Sequence, residues 1–366
     1  MKNPLIEKYE IDHIEIYTPM LKPMLYWHVQ GLGFSLEANL DEEKNVPGKT
    51  SYLISSGNIR LLLTSSYPTI NGAIDTEINS FISRHHVGVK RIVLKTDYVR
   101  EAFEASVGKG AVPVQMPQVK EDKDGLIEEA VIKLFDNSEI VFLNRSRYKG
   151  VFKPGYKKWD RHSFRQEPIF DAVDHIAGEV RINESEYWTN YLERTIGTSV
   201  VQRINRSAEN RTGMILQISQ SAGKSLTFVI AEPESYSGKS KVQENIDQFG
   251  PGIHHLAFAT DDIIAATKTL EEKGIEFVSF PSAYYDLLRK NEELKGFDID
   301  TLQELNILID KEDDCYLLQK FIKPIGDRPF FNYEMVQRVN GYDGFALKNI
   351  NVLAFLSKIK KTVSFI

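Results

Sequence analysis

The chain has 366 residues, 42% of them hydrophobic, 26% charged and 11% aromatic. That is too long for one small domain and supplies enough apolar material for two cores of ordinary size. The 45 Lys and Arg against 51 Asp and Glu leave a formal charge of −6, a field that repels a phosphate backbone and argues against a nucleic-acid partner.

The opening residues, with Lys2, Pro4, Glu7 and Lys8-Tyr9-Glu10, contain no apolar signal core, and no stretch approaches 18 uninterrupted apolar residues. With Cys315 the single cysteine, there is no intrachain disulfide framework or paired-cysteine zinc site. A cytoplasmic setting with no membrane partner is expected. A first strand is predicted at Ile11-Asp12-His13-Ile14, followed by Trp27 of a Tyr-Trp pair and then by Gly31 and Gly33. A second runs from Val87-Gly88-Val89 to Thr96-Asp97. From Arg145 to Gln166 the chain is basic and aromatic and is interrupted by Gly150, Pro154 and Gly155, which predicts a linker.

The pattern then restarts. Val173-Asp174-His175-Ile176 is followed by Trp188, again in a Tyr-Trp pair, and by Gly197. Pro251-Gly252-Ile253 to Thr260-Asp261 repeats the second strand, before a helical stretch from Ile263 through Leu270 to Gly274. His13 and His175 are 162 residues apart, and Gly88 and Gly252 are 164 apart. Two collinear pairs at nearly one offset predict a duplication of βαβββ units, an α+β fold. The expected division is an N-terminal domain over 1–150, a linker over 151–170 and a C-terminal domain over 171–366.

Of the eight histidines, most are expected to be structural. His175 lies in an alternating strand, with Val173, His175 and Ala177 expected on one face. His254 and His255 are adjacent, so a period of two sends them to opposite faces, and only one is expected to point inward with His175. Glu334 lies among large apolar residues in Phe330-Phe331-Asn332-Tyr333-Glu334-Met335; a buried carboxylate there needs a cation or a hydrogen-bond partner. Two histidines and one carboxylate from three strands form the donor set of a non-haem Fe(II) facial triad, which leaves three positions open. The spacings of 80 and 79 residues carry no local signature.

At these residues the chain resembles the family of 4-hydroxyphenylpyruvate dioxygenase and 4-hydroxymandelate synthase, within the vicinal-oxygen-chelate superfamily. The resemblance runs through Val173-Asp174-His175-Ile176, Gly252-Ile253-His254-His255-Leu256-Ala257, Pro281-Ser282-Ala283-Tyr284-Tyr285, Leu302 to Asp310, Tyr316 to Pro324, Asp327-Arg328-Pro329 and Glu334-Met335-Val336-Gln337-Arg338. It is dense over 171–356 and confined before residue 150 to the Asp-His-Ile and Tyr-Trp elements. The resemblance implies that His175, His255 and Glu334 are the catalytic Fe(II) ligands, which selects the second of the tandem histidines. It also implies a metal-free N-terminal half, where Arg91 aligns with His255, Val141 aligns with Glu334 and His13 stands alone. The implied fold is four βαβββ modules paired into two open barrels, with a C-terminal helix as lid. Gly344 to Lys361 fits that helix, with Phe345, Ile350, Leu353, Leu356 and Ile359 on its apolar face; a helix that merely caps the core fits the periodicity equally well.

The departures from the family lie around the substrate. A family Ser falls at Gly213, an Asn at Ala231, the Gln before the ligand His at His254, a further Gln at Lys241 or, with a shifted gap, Ser240, and a Phe at Asn332; Gln319 and Phe321 are retained. Together with Phe345 and Ile350, these are the expected substrate-facing residues. The metal chemistry is expected to persist while the substrate changes. The expected protein is an Fe(II)-dependent dioxygenase that decarboxylates and hydroxylates one 2-oxo acid, with His254 and Lys241 suited to an acidic or polar tail. The alternatives are a true 4-hydroxyphenylpyruvate dioxygenase of tyrosine catabolism or a 4-hydroxymandelate synthase, a different metal reaction such as ring opening or isomerisation, and a non-catalytic binding protein. The partners implied are a small-molecule 2-oxo acid and O2, with homo-oligomerisation left open.

Overall fold

A computed structural model describes residues 9–40, 48–67, 75–160, 165–204, 213–234, 240–326, 330–346, 348, 349 and 352. Asp327-Arg328-Pro329 and, from the expected lid helix, Ile350, Leu353, Leu356 and Ile359 lie outside the described residues.

The first sheet contains β1 (Glu10–Tyr17), β2 (Ser35–Leu40), β3 (Lys49–Ser56), β4 (Ile59–Ser66), β5 (Gly88–Lys95), β6 (Pro113–Asp122), β7 (Gly125–Leu134), β8 (Ser138–Asn144) and β9 (Tyr156–Lys158), in the order β6-β7-β8-β5-β1-β4-β3-β2-β9. The second contains β10 (Ala172–Glu179), β11 (Ser199–Ile204), β12 (Met214–Gln220), β13 (Thr227–Pro233), β14 (Gly252–Ala259), β15 (Leu308–Glu312), β16 (Cys315–Ile322) and β17 (Asn332–Val339), in the order β11-β12-β13-β10-β14-β17-β16-β15. If β10 stands for β1, β11 for β2 and so on to β17 for β8, the second order read backwards is the first without β9. The pairing senses agree too. β1 is parallel to β4, antiparallel to β5, and β5 is parallel to β8; β10, β13, β14 and β17 repeat this. The chain is a duplicated α+β fold of two curled sheets, the vicinal-oxygen-chelate architecture.

The two faces of each sheet differ, as period-two alternation requires. On one face Ile14, Ile92, Phe142, Ile176, Phe228, Leu256, Phe258 and Met335 join the helices in an apolar core that spans both halves. The repeated tryptophans belong to this face. Trp27, beyond the short helix α1 (Leu21–Tyr26), stacks on Tyr333 of the second half with centroids 6.1 Å apart, while Trp188 packs edge-on against Phe135 of the first at 5.2 Å. Gly178 lets that Phe135 ring lie directly against the second sheet, since a Cβ there would stand 2.6 Å from it. Part of the expected linker is also built into the first half: β9 extends the sheet by pairing with β2, and Phe152 is buried with Ala38, Leu53 and Leu62. Among the described residues, no helix is long and apolar enough to cross a membrane.

A buried polar bond crosses between the halves. The Nδ1 of His28 donates to the Met24 carbonyl at 2.7 Å, so its Nε2 accepts from the Tyr333 hydroxyl, also at 2.7 Å. Burial pushes His28 down to about 4, which keeps it neutral. Tyr333→Phe would leave Nε2 buried and unpaired, and a loss of about 1–3 kcal/mol is expected in denaturant unfolding.

The opposite face of the first sheet holds a charge network. Arg91 bonds Glu15 at 3.0 Å, Glu139 at 2.8 Å, Glu77 at 3.0 Å and the Tyr17 hydroxyl at 3.0 Å, while Lys49 and Lys90 hold the other oxygens of Glu15 and Glu139 at 3.0 and 2.6 Å. Burial raises the Glu15 carboxyl, but Lys49 and Arg91 outweigh it and hold it well below the ordinary range. Arg91→Met would strip a partner from two buried carboxylates and is expected to cost about 3–5 kcal/mol. Because Glu15 is depressed in the folded protein, its contribution is present above the unfolded value of about 4 and is lost as pH falls below it. The wild type should therefore lose stability on acidification more steeply than Arg91→Met, as read by urea unfolding at several pH values.

Candidate metal centre

The centre is built on a ladder with two faults. β10 and β14 run Val173↔Phe258, His175↔Ala257, Ala177↔His255, Gly178↔Ile253, so Asp174 and His254 are each an extra residue, and each bulge re-aims the side chains beside it. The expectation that Val173 shares a face with His175 fails. Val173 packs on the apolar core, and Asp174 is the residue beside His175, its Oδ1 2.8 Å from His175 Nδ1. The expectation that His254 and His255 diverge fails for the same reason. Their rings are 5.1 Å apart and their Nδ1 atoms are 2.8 Å apart.

Register completes the triangle. Ala257 of β14 is paired with His175 on one side and with Glu334 of β17 on the other, and His255 is two residues along the same face. The small Ala257 side chain leaves the space between the three donors open. His175 Nε2 and His255 Nε2 stand 3.2 and 3.3 Å from Glu334 Oε2, and the three ligand atoms lie within 4.8 Å of one another. Donors about 2.1 Å from one first-row ion, at right angles to each other, stand about 3 Å apart, so this set fits a facial triad.

The electrostatics call for a cation at the same point. Burial raises Glu334, yet His175 and His255 hold it down at about 2. Burial lowers His175, yet Asp174 and Glu334 raise it to about 9. Burial keeps His255 below its ordinary value. Behind His175, Arg338 clamps Asp174 through two bonds of 2.6 and 2.9 Å, which fixes Nδ1 as the inner nitrogen and presents Nε2. The same guanidinium holds the carbonyls of Tyr342 and Gly344 at 3.2 and 2.8 Å and lies over the Phe345 ring.

The first half keeps this scaffold without the donors. Asp12 bonds His13 at 2.7 Å and Arg145 bonds Asp12 at 2.7 Å, and bulges recur at Asp12 and at Lys90. At the counterpart of His255 stands Arg91, and at that of Glu334 stands Val141, paired with Val93.

Of the expected substrate-facing residues, several gather at the triad. The Phe321 ring is 5.8 Å from that of His255, and Phe345 is 5.9 Å from His175. Asn332 is paired with His255 in register, and its Oδ1, like Oε1 of Gln319, is buried without a hydrogen-bond partner among the described residues. Others stand apart. Gly213 is next to Ser240 at the end of the β12–β13 hairpin. Lys241 opens the helix α2 (Lys241–Phe249), which is capped by Ser240, and its Nζ is 3.9 Å from Glu244. Ile350 lies outside the described residues. Sequence reasoning missed Glu179, at the far end of β10 from His175. Its signal was a charged residue four positions along from His175, closing the apolar run Ile176-Ala177-Gly178.

Residues 172–298 match the Glyoxalase/Bleomycin resistance protein/Dioxygenase superfamily. The chain is 29% identical over 361 residues to 4-hydroxyphenylpyruvate dioxygenase of Coccidioides posadasii, covering 93% of this chain and 90% of that protein. It is 31% identical over 371 residues to an Aspergillus fumigatus protein named "Probable 4-hydroxyphenylpyruvate dioxygenase 2", covering 93% and 91%. Among solved structures, a substituted 4-hydroxymandelate synthase from Streptomyces coelicolor shares the fold with a TM-score of 0.83 at 24% identity, covering 96% of this chain and 99% of that one. With likeness at this level along nearly the whole length of both proteins, the chain belongs to the 4-hydroxyphenylpyruvate dioxygenase family.

Proposed function

We propose that the protein is an Fe(II)-dependent dioxygenase that oxidatively decarboxylates and hydroxylates a single 2-oxo acid, with His175, His255 and Glu334 as the ligands. We further propose that its substrate carries a side chain other than 4-hydroxyphenyl. The observation that carries the first reading is the triad itself: three buried donors from three strands, spaced for one octahedral face. Kinship with dioxygenases supports the reaction type. The loss of a ring at Asn332 and of an amide at Ala231, relative to the family pattern, supports the second. In this reading residues 171–366 form the catalytic unit and 1–150 a metal-free partner, joined through 151–170.

When bound, Fe(II) supplies the redox chemistry that couples reduction of O2 to loss of the 2-oxo acid's carboxylate as CO2 and to hydroxylation of the same molecule. The chain's own residues prepare the place for it. Arg338 and Asp174 hold the His175 ring in one tautomer and one orientation. Phe321 and Phe345 set apolar rings beside the two histidines. Gln319 and Asn332 each leave a buried amide oxygen without a hydrogen-bond partner among the described residues, an acceptor open to an O–H or N–H group of the substrate.

Two outcomes test this reading. Oxygen uptake with Fe(II), ascorbate and a panel of 2-oxo acids should be matched by CO2 release in equal amount, and Ala at His175, His255 or Glu334 should abolish both while the far-UV spectrum is retained. Uptake without CO2, or neither with any 2-oxo acid, would overturn it. Asp174→Asn, which weakens the support of His175, should lower Fe(II) affinity about 10- to 100-fold in a metal titration.

A further inference from the structure

Glu179 ends β10 four residues from His175, about 13 Å along the strand, on the face shared with Ala177 and the triad. Its two register partners are Ala231 on β13 and Gly252 on β14, so neither cross-strand side chain extends past a Cβ to meet the carboxyl. One oxygen is anchored: Oε1 accepts from Asn245 Nδ2 at 3.1 Å, with His254 Nε2 3.9 Å away. The other, Oε2, is buried without a hydrogen-bond partner among the described residues. Lys241, whose charge lowers the Glu179 carboxyl, has its Nζ 3.9 Å from Glu244. The side chain of Glu179 is only 7% exposed, while Val229 and Ala231 on the adjacent strand remain partly accessible.

Glu15 and Glu232 give the contrast. Glu15 has both oxygens in ion pairs, and Glu232 accepts from the Ser185 backbone N–H at 2.9 Å, tying down the start of the helix that follows β10. A buried acceptor left open costs free energy unless something else fills it; burial pushes the Glu179 carboxyl up to about 8, and a donor reaching Oε2 would favour the ionised form and take the place of that proton.

We propose that Glu179 is a specificity-determining residue whose free oxygen accepts a hydrogen bond from an O–H or N–H group at the end of the substrate's side chain, so that the enzyme prefers 2-oxo acids with a neutral or cationic donor there. This rests on the 2-oxo acid reading above. It also revises the expectation of an acidic tail. His254 is engaged with His255 on one side and faces Glu179 on the other, so an acidic tail would meet a second carboxyl.

The experiment uses the full Fe(II)-loaded protein, as wild type, Glu179→Gln and Glu179→Leu, with four probes of one shape: phenylpyruvate and its 4-hydroxy, 4-aminomethyl and 4-carboxymethyl derivatives. Binding is measured anaerobically by calorimetry, and kcat/KM by oxygen uptake. The wild type should bind the aminomethyl probe about ten- to a hundredfold more tightly than phenylpyruvate, the hydroxy probe, whose donor lies nearer the ring, by a smaller factor, and the carboxymethyl probe more weakly than phenylpyruvate. In Glu179→Leu the donor-to-phenylpyruvate ratio should collapse to within about threefold. Glu179→Gln, which keeps the shape and the bond to Asn245, should reduce the ratio while its thermal transition stays cooperative. A wild type that binds none of the probes or does not discriminate among them, or variants that weaken all probes by one factor, would overturn the proposal. Discrimination in binding without oxygen uptake by any probe would instead overturn the dioxygenase reading and leave the role of Glu179 standing.

Discussion

An antiparallel pair in unbroken register would turn Asp174 and His254 onto the apolar face, where an acid and an imidazole would have to be buried among Phe228, Leu256 and Phe258. One extra residue at each point removes that conflict. It places a carboxylate behind the first histidine and a second imidazole behind the other, and it leaves the alternation of the flanking residues intact. The orientation of His175, the approach of His254 to Glu179 and the route by which Arg338 reaches both Asp174 and the chain around Gly344 all depend on those two faults.

The first half shows that the faults belong to the scaffold rather than to metal binding alone, because it keeps them, together with the Arg145-Asp12-His13 chain, and lacks the donors. The two inner faces answer one electrostatic problem in two ways. Each gathers buried carboxylates that need positive charge. In the first half the guanidinium of Arg91 supplies it permanently from the position of the second histidine, in contact with Glu15 and Glu139. In the second half the corresponding side chain is a neutral imidazole, and Glu334 must find its counter-charge in a bound cation or a proton on His175.

What could be read without coordinates was whatever repeats or recurs in pairs. The doubled Asp-His-Ile and Tyr-Trp elements carry the duplication because each half must build the same strand and the same contact with its partner. Glu334 could be noticed because a carboxylate between Tyr333 and Met335 contradicts its surroundings. The bulges could not be read, since an extra residue in one strand is defined only by its pairing with another. For the same reason Glu179 was overlooked: its meaning comes from Ala231 and Gly252 on two different neighbouring strands, 52 and 73 residues further along the chain. β9 was hidden by Pro154 and Gly155, which punctuate the chain just before it without preventing a three-residue edge strand.

The alternation that turns Glu334 toward the centre turns Tyr333 the opposite way, into the grip of His28 and Trp27. The half of the molecule that lacks the donor set thus holds the backbone of the strand that carries the Glu334 carboxylate, within one residue of it. Substitutions at His28 or Trp27 would then disturb the placement of Glu334, although neither side chain belongs to the donor set. An excised second half, even with all three donors present, would carry Glu334 on a strand whose far face had lost its mould. The duplication has in this sense become a division of labour, in which one copy carries the three donors and the other helps keep their geometry.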